Sequence, residues 1–290
     1  MSVVALLLIG LGAIAHTTWN LAAKRFSGAG LRFVWLSSVV AAVVVAPFAL
    51  TAFAGNRAAV PVVLIAGFVS GLIHIGYFVL LQRGYRVGDV SLVYPMARGT
   101  GPLLTMIVSV LFLAERPGPV SLAGGAVIIA GVAVIGFAGS RGVSLDPRAV
   151  VLGLMTGVTI AAYTLWDSYA VTRLGISPMI QSWLSSLTEV LVLAPVLLRP
   201  RQPIGTIIRS QFAGSQLIGA LIVGIGSPLA YISIMYAMRH APTALVAPGR
   251  EVSVVLVSIA GWLIFAEPNP RPRLIGSAIV LAGIVALAVG

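Results

Sequence analysis

The second half of the chain repeats the first half, weakly but in order. Ala15-His16-Thr17-Thr18-Trp19-Asn20 returns as Ala162-Tyr163-Thr164-Leu165-Trp166-Asp167 at an offset of 147 residues. Trp35-Leu36-Ser37-Ser38 returns as Trp183-Leu184-Ser185-Ser186 at 148, and Pro47 as Pro195. Arg86 and Pro95 return as Arg239 and Pro248 at 153, and Arg98 and Glu115 as Arg250 and Glu267 at 152. One such match could arise by chance; an ordered series with a slowly drifting offset is what a duplicated segment with small insertions leaves behind. Each copy holds five apolar stretches. Five is odd, so if each stretch crosses a bilayer, the second copy enters the membrane from the opposite face.

Composition places the chain in a bilayer. It is 59% hydrophobic and only 9% charged, with a mean hydropathy of +1.08, whereas soluble domains carry about 25% charged residues. A span needs about 20 apolar residues. With charges used as boundaries, the spans fall near 3–23, 33–53, 60–82, 88–114, 118–138, 149–170, 177–198, 212–238, 241–266 and 274–290. The expected fold is therefore an all-α integral membrane protein of ten transmembrane helices. Residues 1–140 form the first five-helix repeat and 147–290 the second, within one membrane domain. The opening Met-Ser-Val-Val has no basic n-region and is expected to start a helix.

The charge of +11 would suggest nucleic acid in a soluble protein. Here the cations punctuate apolar runs singly and in pairs, as topology determinants do. Loop 1–2 carries Lys24, Arg25 and Arg32, while its counterpart, loop 6–7, carries Arg173; loop 2–3 carries Arg57, while loop 7–8 carries Arg199, Arg201 and Arg209. This alternation is the charge signature of an inverted repeat. It puts Arg57, Arg116, Arg173 and Arg239 on the face that both termini share and the more numerous remaining cations on the other. By that count the termini lie outside.

Polar residues within the spans mark the candidate site. A charged side chain at the bilayer centre costs roughly 2.5–3.5 kcal/mol on insertion scales, so it must face the protein interior. His16, Trp19, Asn20 and Lys24 fall within an arc of roughly 140° on the first helix, and Tyr163 and Trp166 repeat the pattern on the sixth. Tyr94 and Arg98 share a face of the fourth helix, which Pro95 and Pro102 interrupt. Arg250 is the ninth helix's copy of Arg98. Guanidinium forks suit carboxylate or phosphate oxygens. The expected substrate is thus a small polar anion or zwitterion, bound by His16, Trp19, Asn20, Lys24, Tyr94, Arg98, Tyr163, Trp166 and Arg250. Arg250 is expected to be tied to Glu251 or Glu189, which leaves Arg98 as the main ligand. Asp167, Glu251, Glu189 and His74 are the candidates for proton coupling. Trp35 and Trp183 read as packing or interfacial residues.

At this point the sequence resembles the drug/metabolite transporter superfamily in its EamA-like ten-helix branch. The similar features are the tandem repeats, Trp19-Asn20 and Trp166-Asp167, the proline-containing fourth helices, and their ends Leu113-Ala114-Glu115 and Phe265-Ala266-Glu267. The fifth helices add Leu122-Ala-Gly-Gly-Ala with Ala130-Gly131, and Leu274-Ile-Gly-Ser-Ala with Ala282-Gly283. The stretch His16-Thr-Thr-Trp19-Asn20-Leu-Ala-Ala-Lys24 also looks like a subgroup associated with phosphonate use. The resemblance implies carrier-mediated movement of small metabolites across the cytoplasmic membrane, often export, through a cavity lined by helices one to four and six to nine. It also implies cytoplasmic termini, against the charge count, so the orientation stays open.

No cofactor, metal, nucleic acid or obligate protein partner is implied. Cysteine is absent, and there is no HExxH, GxSxG or acidic cluster with metal spacing, so an enzyme is not expected. The alternatives are a flippase for an anionic lipid-linked carrier, which the cations would suit, an exporter of lipophilic cations, and a channel, which the paired prolines and charged midplane suit less well.

Overall fold

The structure is a computed structural model, and it describes residues 1–25, 30–88, 90–137, 146–197, 215–265 and 270–290. The helices are α1 (Val3–Arg25), α2 (Gly30–Phe53), α3 (Val60–Val87), α4 (Val90–Leu111), α5 (Pro119–Phe137), α6 (Pro147–Thr172), α7 (Pro178–Leu197), α8 (Ser215–Met238), α9 (Thr243–Gly249), α10 (Val252–Phe265) and α11 (Pro270–Val289). α1, α2, α3, α6 and α8 are each long and apolar enough to cross a bilayer unaided. Proline opens α5, α6, α7 and α11, a first-turn position where its missing N–H has no intrahelical partner to lose. Asp146 caps α6 by accepting from the Arg148 backbone N–H at 2.8 Å.

The largest departures from the sequence reading are in α3 and the ninth span. α3 runs on to Val87, past Arg83 and Arg86, because a cation ends an apolar run without ending a helix. The ninth span, expected to be continuous, is two helices with Arg250 and Glu251 between them. Pro248 has no N–H to donate into the helix. The chain passes the break with i to i−3 bonds: Glu251 N–H donates to Pro248 O at 3.0 Å, and Val254 N–H to Glu251 O at 2.9 Å. Such a tightened turn inside a helix is where strain and function concentrate.

The repeats are antiparallel. Exchanging the halves maps the packing onto itself: α1 against α8 becomes α6 against α3, and α2 against α8 becomes α7 against α3. The pairs α2–α7 and α5–α11 map onto themselves. Trp35 Nε1 donates to Val190 O at 3.1 Å, and its repeat partner Trp183 donates to Ala42 O at 3.0 Å. Both residues of each bond are offset by the same 148 positions. Numbers rise along one helix as they fall along the other, which an inverted repeat requires. α5 and α11 form a seam of close backbone approach. A Cβ on Gly124 would lie 2.7 Å from Gly283 O, and one on Gly283 would lie 2.7 Å from Gly124 O, so only glycine permits that approach.

Both chain ends lie on one face: Ser2 Oγ donates to His240 O at 3.3 Å beside the α8–α9 loop, and Gly290 adjoins Gly118 beside α5.

Candidate functional site

A cavity of about 100 Å3 lies between the repeats, with His16, Trp19, His74, Tyr77, Arg98, Tyr163, Tyr231 and Arg250 among its walls. One water needs roughly 10–15 Å3 on this measure, so there is room for several. α1, α3, α4, α6, α8 and the α9–α10 break each contribute side chains.

The charges meet at Glu251. Its Oε1 accepts from Arg98 Nη1 at 3.2 Å and from Arg250 Nε at 3.4 Å, and the Glu251 side chain is wholly buried. Two guanidinium groups thus share one carboxylate oxygen, and the cluster keeps one net positive charge. Arg98 also donates through Nη2 to Nε2 of His16. Arginine can only donate, so His16 is the acceptor there. Arg250 Nη1 donates to Thr164 Oγ1 at 3.3 Å. Arg98 stands 5.5 Å from the Tyr94 ring and Arg250 6.0 Å from the Tyr163 ring, measured to the centroids. Arg250 Nη2, Glu251 Oε2 and Trp19 Nε1 are buried with no partner among the described residues.

Aromatic rings complete the wall. His74 stacks on Tyr163 at 4.1 Å, and Tyr231 meets Tyr163 edge-on at 5.7 Å. Tyr77 meets Tyr163 at 5.9 Å, and His16 meets Trp19 at 4.8 Å. His74 Nδ1 also lies 2.9 Å from Ser70 O within its own helix.

The remaining candidates lie elsewhere. Asn20 spends its amide on His16 O at 2.8 Å in its own helix, and Trp166 donates to Ala66 O of α3 at 2.8 Å, as a packing contact. Asp167 sits behind the cavity wall, accepting from Gln181 Nε2 at 2.8 Å and Tyr231 Oη at 2.7 Å. Glu189 accepts from Ser38 Oγ at 2.5 Å at the α2–α7 crossing. Lys24 lies in the last turn of α1 and its side chain falls outside the described residues, as does Glu267. Arg250 is not alone in being tied by Glu251, because Arg98 shares the same oxygen. Gln181 and Ser253 were not singled out in the sequence. The i, i+3 spacing from Arg250 was the available signal for Ser253, whereas Gln181 stands on another helix and had none.

An inverted-repeat helical fold with a charged cavity between its halves is that of a membrane carrier. The sequence profile of the EamA-like transporter family matches residues 3–137 and again 147–289. The chain belongs to that family: it is a multi-pass membrane transporter and not an enzyme. A multidrug transporter of Pseudomonas aeruginosa is 34% identical over 103 residues, which are 36% of this chain and 89% of that protein. That relative is therefore shorter than one repeat of this chain. A solved crystal structure superposes with a TM-score of 0.79 at 17% identity, covering 98% of this chain and 96% of its own. At that identity the likeness shows the fold alone.

Proposed function

We propose that the chain is a secondary active transporter that moves a small anionic or zwitterionic metabolite across the cytoplasmic membrane by alternating access, in the direction of export. The observation that carries this reading is the uncompensated charge. Two buried arginines are served by one carboxylate oxygen, so an incoming carboxylate or phosphate would complete the set of ion pairs and accept from donors already in place. Protons are the proposed coupling ion. Asp167 and Glu189 are the proposed coupling residues, because both are bonded to neutral partners and stand outside the arginine cluster.

The test is a thermal-shift screen of purified protein against amino acids, carboxylates, phosphonates, sugar phosphates and lipophilic cations, wild type beside Arg98→Ala. A ligand at 100 times its Kd adds about 2.7 kcal/mol. Stabilisation by anions that disappears in the variant supports the reading. Anion binding unchanged in Arg98→Ala sinks it.

The ring cluster around Tyr163 favours a second reading. Tyr77, His74 and Tyr231 face it within 6 Å, and such faces attract organic cations. Together with the multidrug relative, this supports efflux of lipophilic cations. In the same screen, stabilisation by cations alone would select it.

A further inference from the structure

The two ends of the cavity are not equivalent. On the face that carries the termini, α6, α7 and α8 pack against one another. Three side-chain ties hold them and the start of α9. Asp167 joins α6 to Gln181 of α7 and to Tyr231 of α8. Ser168 Oγ lies 2.5 Å from Thr243 Oγ1, joining α6 to α9. Arg239, just beyond α8, donates through Nε to Val171 O at 3.0 Å and through Nη2 to Ile176 O at 2.8 Å and Gly175 O at 3.3 Å. A cation on the last carbonyls of a helix satisfies acceptors that have no partner within it. Among the described residues, the equivalent helices α1, α2 and α3 make no comparable contact with one another on the opposite face.

The repeat offsets say which of these ties the first repeat can reproduce. Asp167 corresponds to Asn20, Ser168 to Leu21, Gln181 to Phe33 and Tyr231 to Phe78. The hydroxyl, amide and carboxylate ties are all lost. The arginine is kept: Arg239 corresponds to Arg86, and Val171 to Lys24 at the end of α1. Arg86 is exposed at the end of α3 and makes no hydrogen bond to another described residue.

We propose that Arg239 and Arg86 are reciprocal gate residues. In the present state Arg239 closes the termini side by holding the Val171 carbonyl at the end of α6 and the Gly175 and Ile176 carbonyls between α6 and α7. In the opposite state Arg86 closes the other side by taking the last carbonyls of α1, the Lys24 carbonyl first among them. Because only the first gate is reinforced by Asp167, Ser168, Gln181 and Tyr231, the state described here is the resting one. The inference rests on the alternating-access reading and adds the residues that set its balance.

The chain has no cysteine, so pairs of introduced cysteines can carry spin labels without background. One pair, Thr172→Cys with His240→Cys, spans the closed gate. The other, Arg32→Cys with Val87→Cys, joins the start of α2 to the end of α3 on the opposite face. Pulsed dipolar distances are measured in each background. Arg239→Ala is expected to raise the long-distance fraction of the first pair about tenfold, the order of effect of removing hydrogen bonds to a charged group. It should raise the short-distance fraction of the second pair in step. Thr243→Val, a gentler lesion of the same gate, should shift both pairs the same way by less, and it covers the case in which Arg239→Ala fails to fold. Arg86→Ala should leave the first pair as in wild type and, combined with Arg239→Ala, should remove the short-distance population of the second. Unchanged distributions in a folded Arg239→Ala and in Thr243→Val would overturn the gate. Equally, a short-distance population that survives loss of Arg86 would overturn its role. If the pairs exchange populations on adding a transported ligand but ignore Arg239, the gate alone fails. If they never exchange under any condition, alternating access fails with it.

Discussion

α4 and its repeat partner begin from the same sequence idea and end differently. α4 runs unbroken through Arg98, while the ninth span stops at Gly249 and restarts at Val252. The residue after Arg98 is Gly99, and the residue after Arg250 is Glu251. A duplicated arginine thus faces an acid that exists in one copy only. The difference shows that the site is not a symmetric pair of half-sites. It is a positively charged centre whose counter-charge, among the described residues, is supplied by the second repeat at the point where its helix opens.

The largest effect is expected from removing that acid. Glu251→Gln leaves two buried guanidinium groups uncompensated, and breaking a buried pair in this way costs about 3–5 kcal/mol, read as a lower Tm of the purified protein. An unchanged Tm would mean that the arginines are solvated and that the comparison has no energetic content. Next comes the reverse change. A Cβ on Gly99 meets nothing within 4 Å, so Gly99→Glu is sterically admitted and sets an acid next to Arg98 in sequence, as Glu251 stands next to Arg250. The fold should persist while the roughly 2.7 kcal/mol of stabilisation by a saturating anionic ligand disappears. Anion binding retained in that variant would break the link between the missing acid and the substrate.

A smaller loss, about 1–3 kcal/mol of stability, is expected for Gly124→Val or Gly283→Val, since each forces the α5–α11 seam apart. Unlike the arginine variants, both should lower Tm without selectively abolishing ligand stabilisation. The smallest effect concerns the mirrored tryptophans. Trp35→Phe and Trp183→Phe each remove one interhelical bond, worth about 0.6 kcal/mol in membrane proteins. The two losses should match. Unequal values would show that the repeats are energetically distinct at the α2–α7 crossing as well as at the arginines.

The repeat, its inversion and most helix boundaries were legible because they depend on local composition, odd helix number and the sign of loop charges. The break at Arg250 was half legible. Pro248 marked an interruption, but Pro102 sits within an unbroken α4, so proline alone does not say which helix parts. Helical periodicity placed His16, Trp19 and Asn20 on one inward face. It could not say that Asn20 would turn back onto its own backbone or that Trp166 would reach Ala66. Those outcomes depend on which neighbour stands opposite, and a single helix carries no record of that. The sharing of one Glu251 oxygen by two arginines 152 positions apart was beyond reach for the same reason.

The seam between α5 and α11 has a consequence for how the protein is made. During synthesis α5 enters the bilayer long before α11, so its glycine ridge waits against lipid while five further spans are threaded. The ridge finds its mate only when α11 arrives, and only if that helix lies the opposite way up. Completion of the seam therefore depends on the sense in which the second repeat enters, and a second repeat inserted in the wrong sense leaves Gly124 and Gly283 with nothing to close upon.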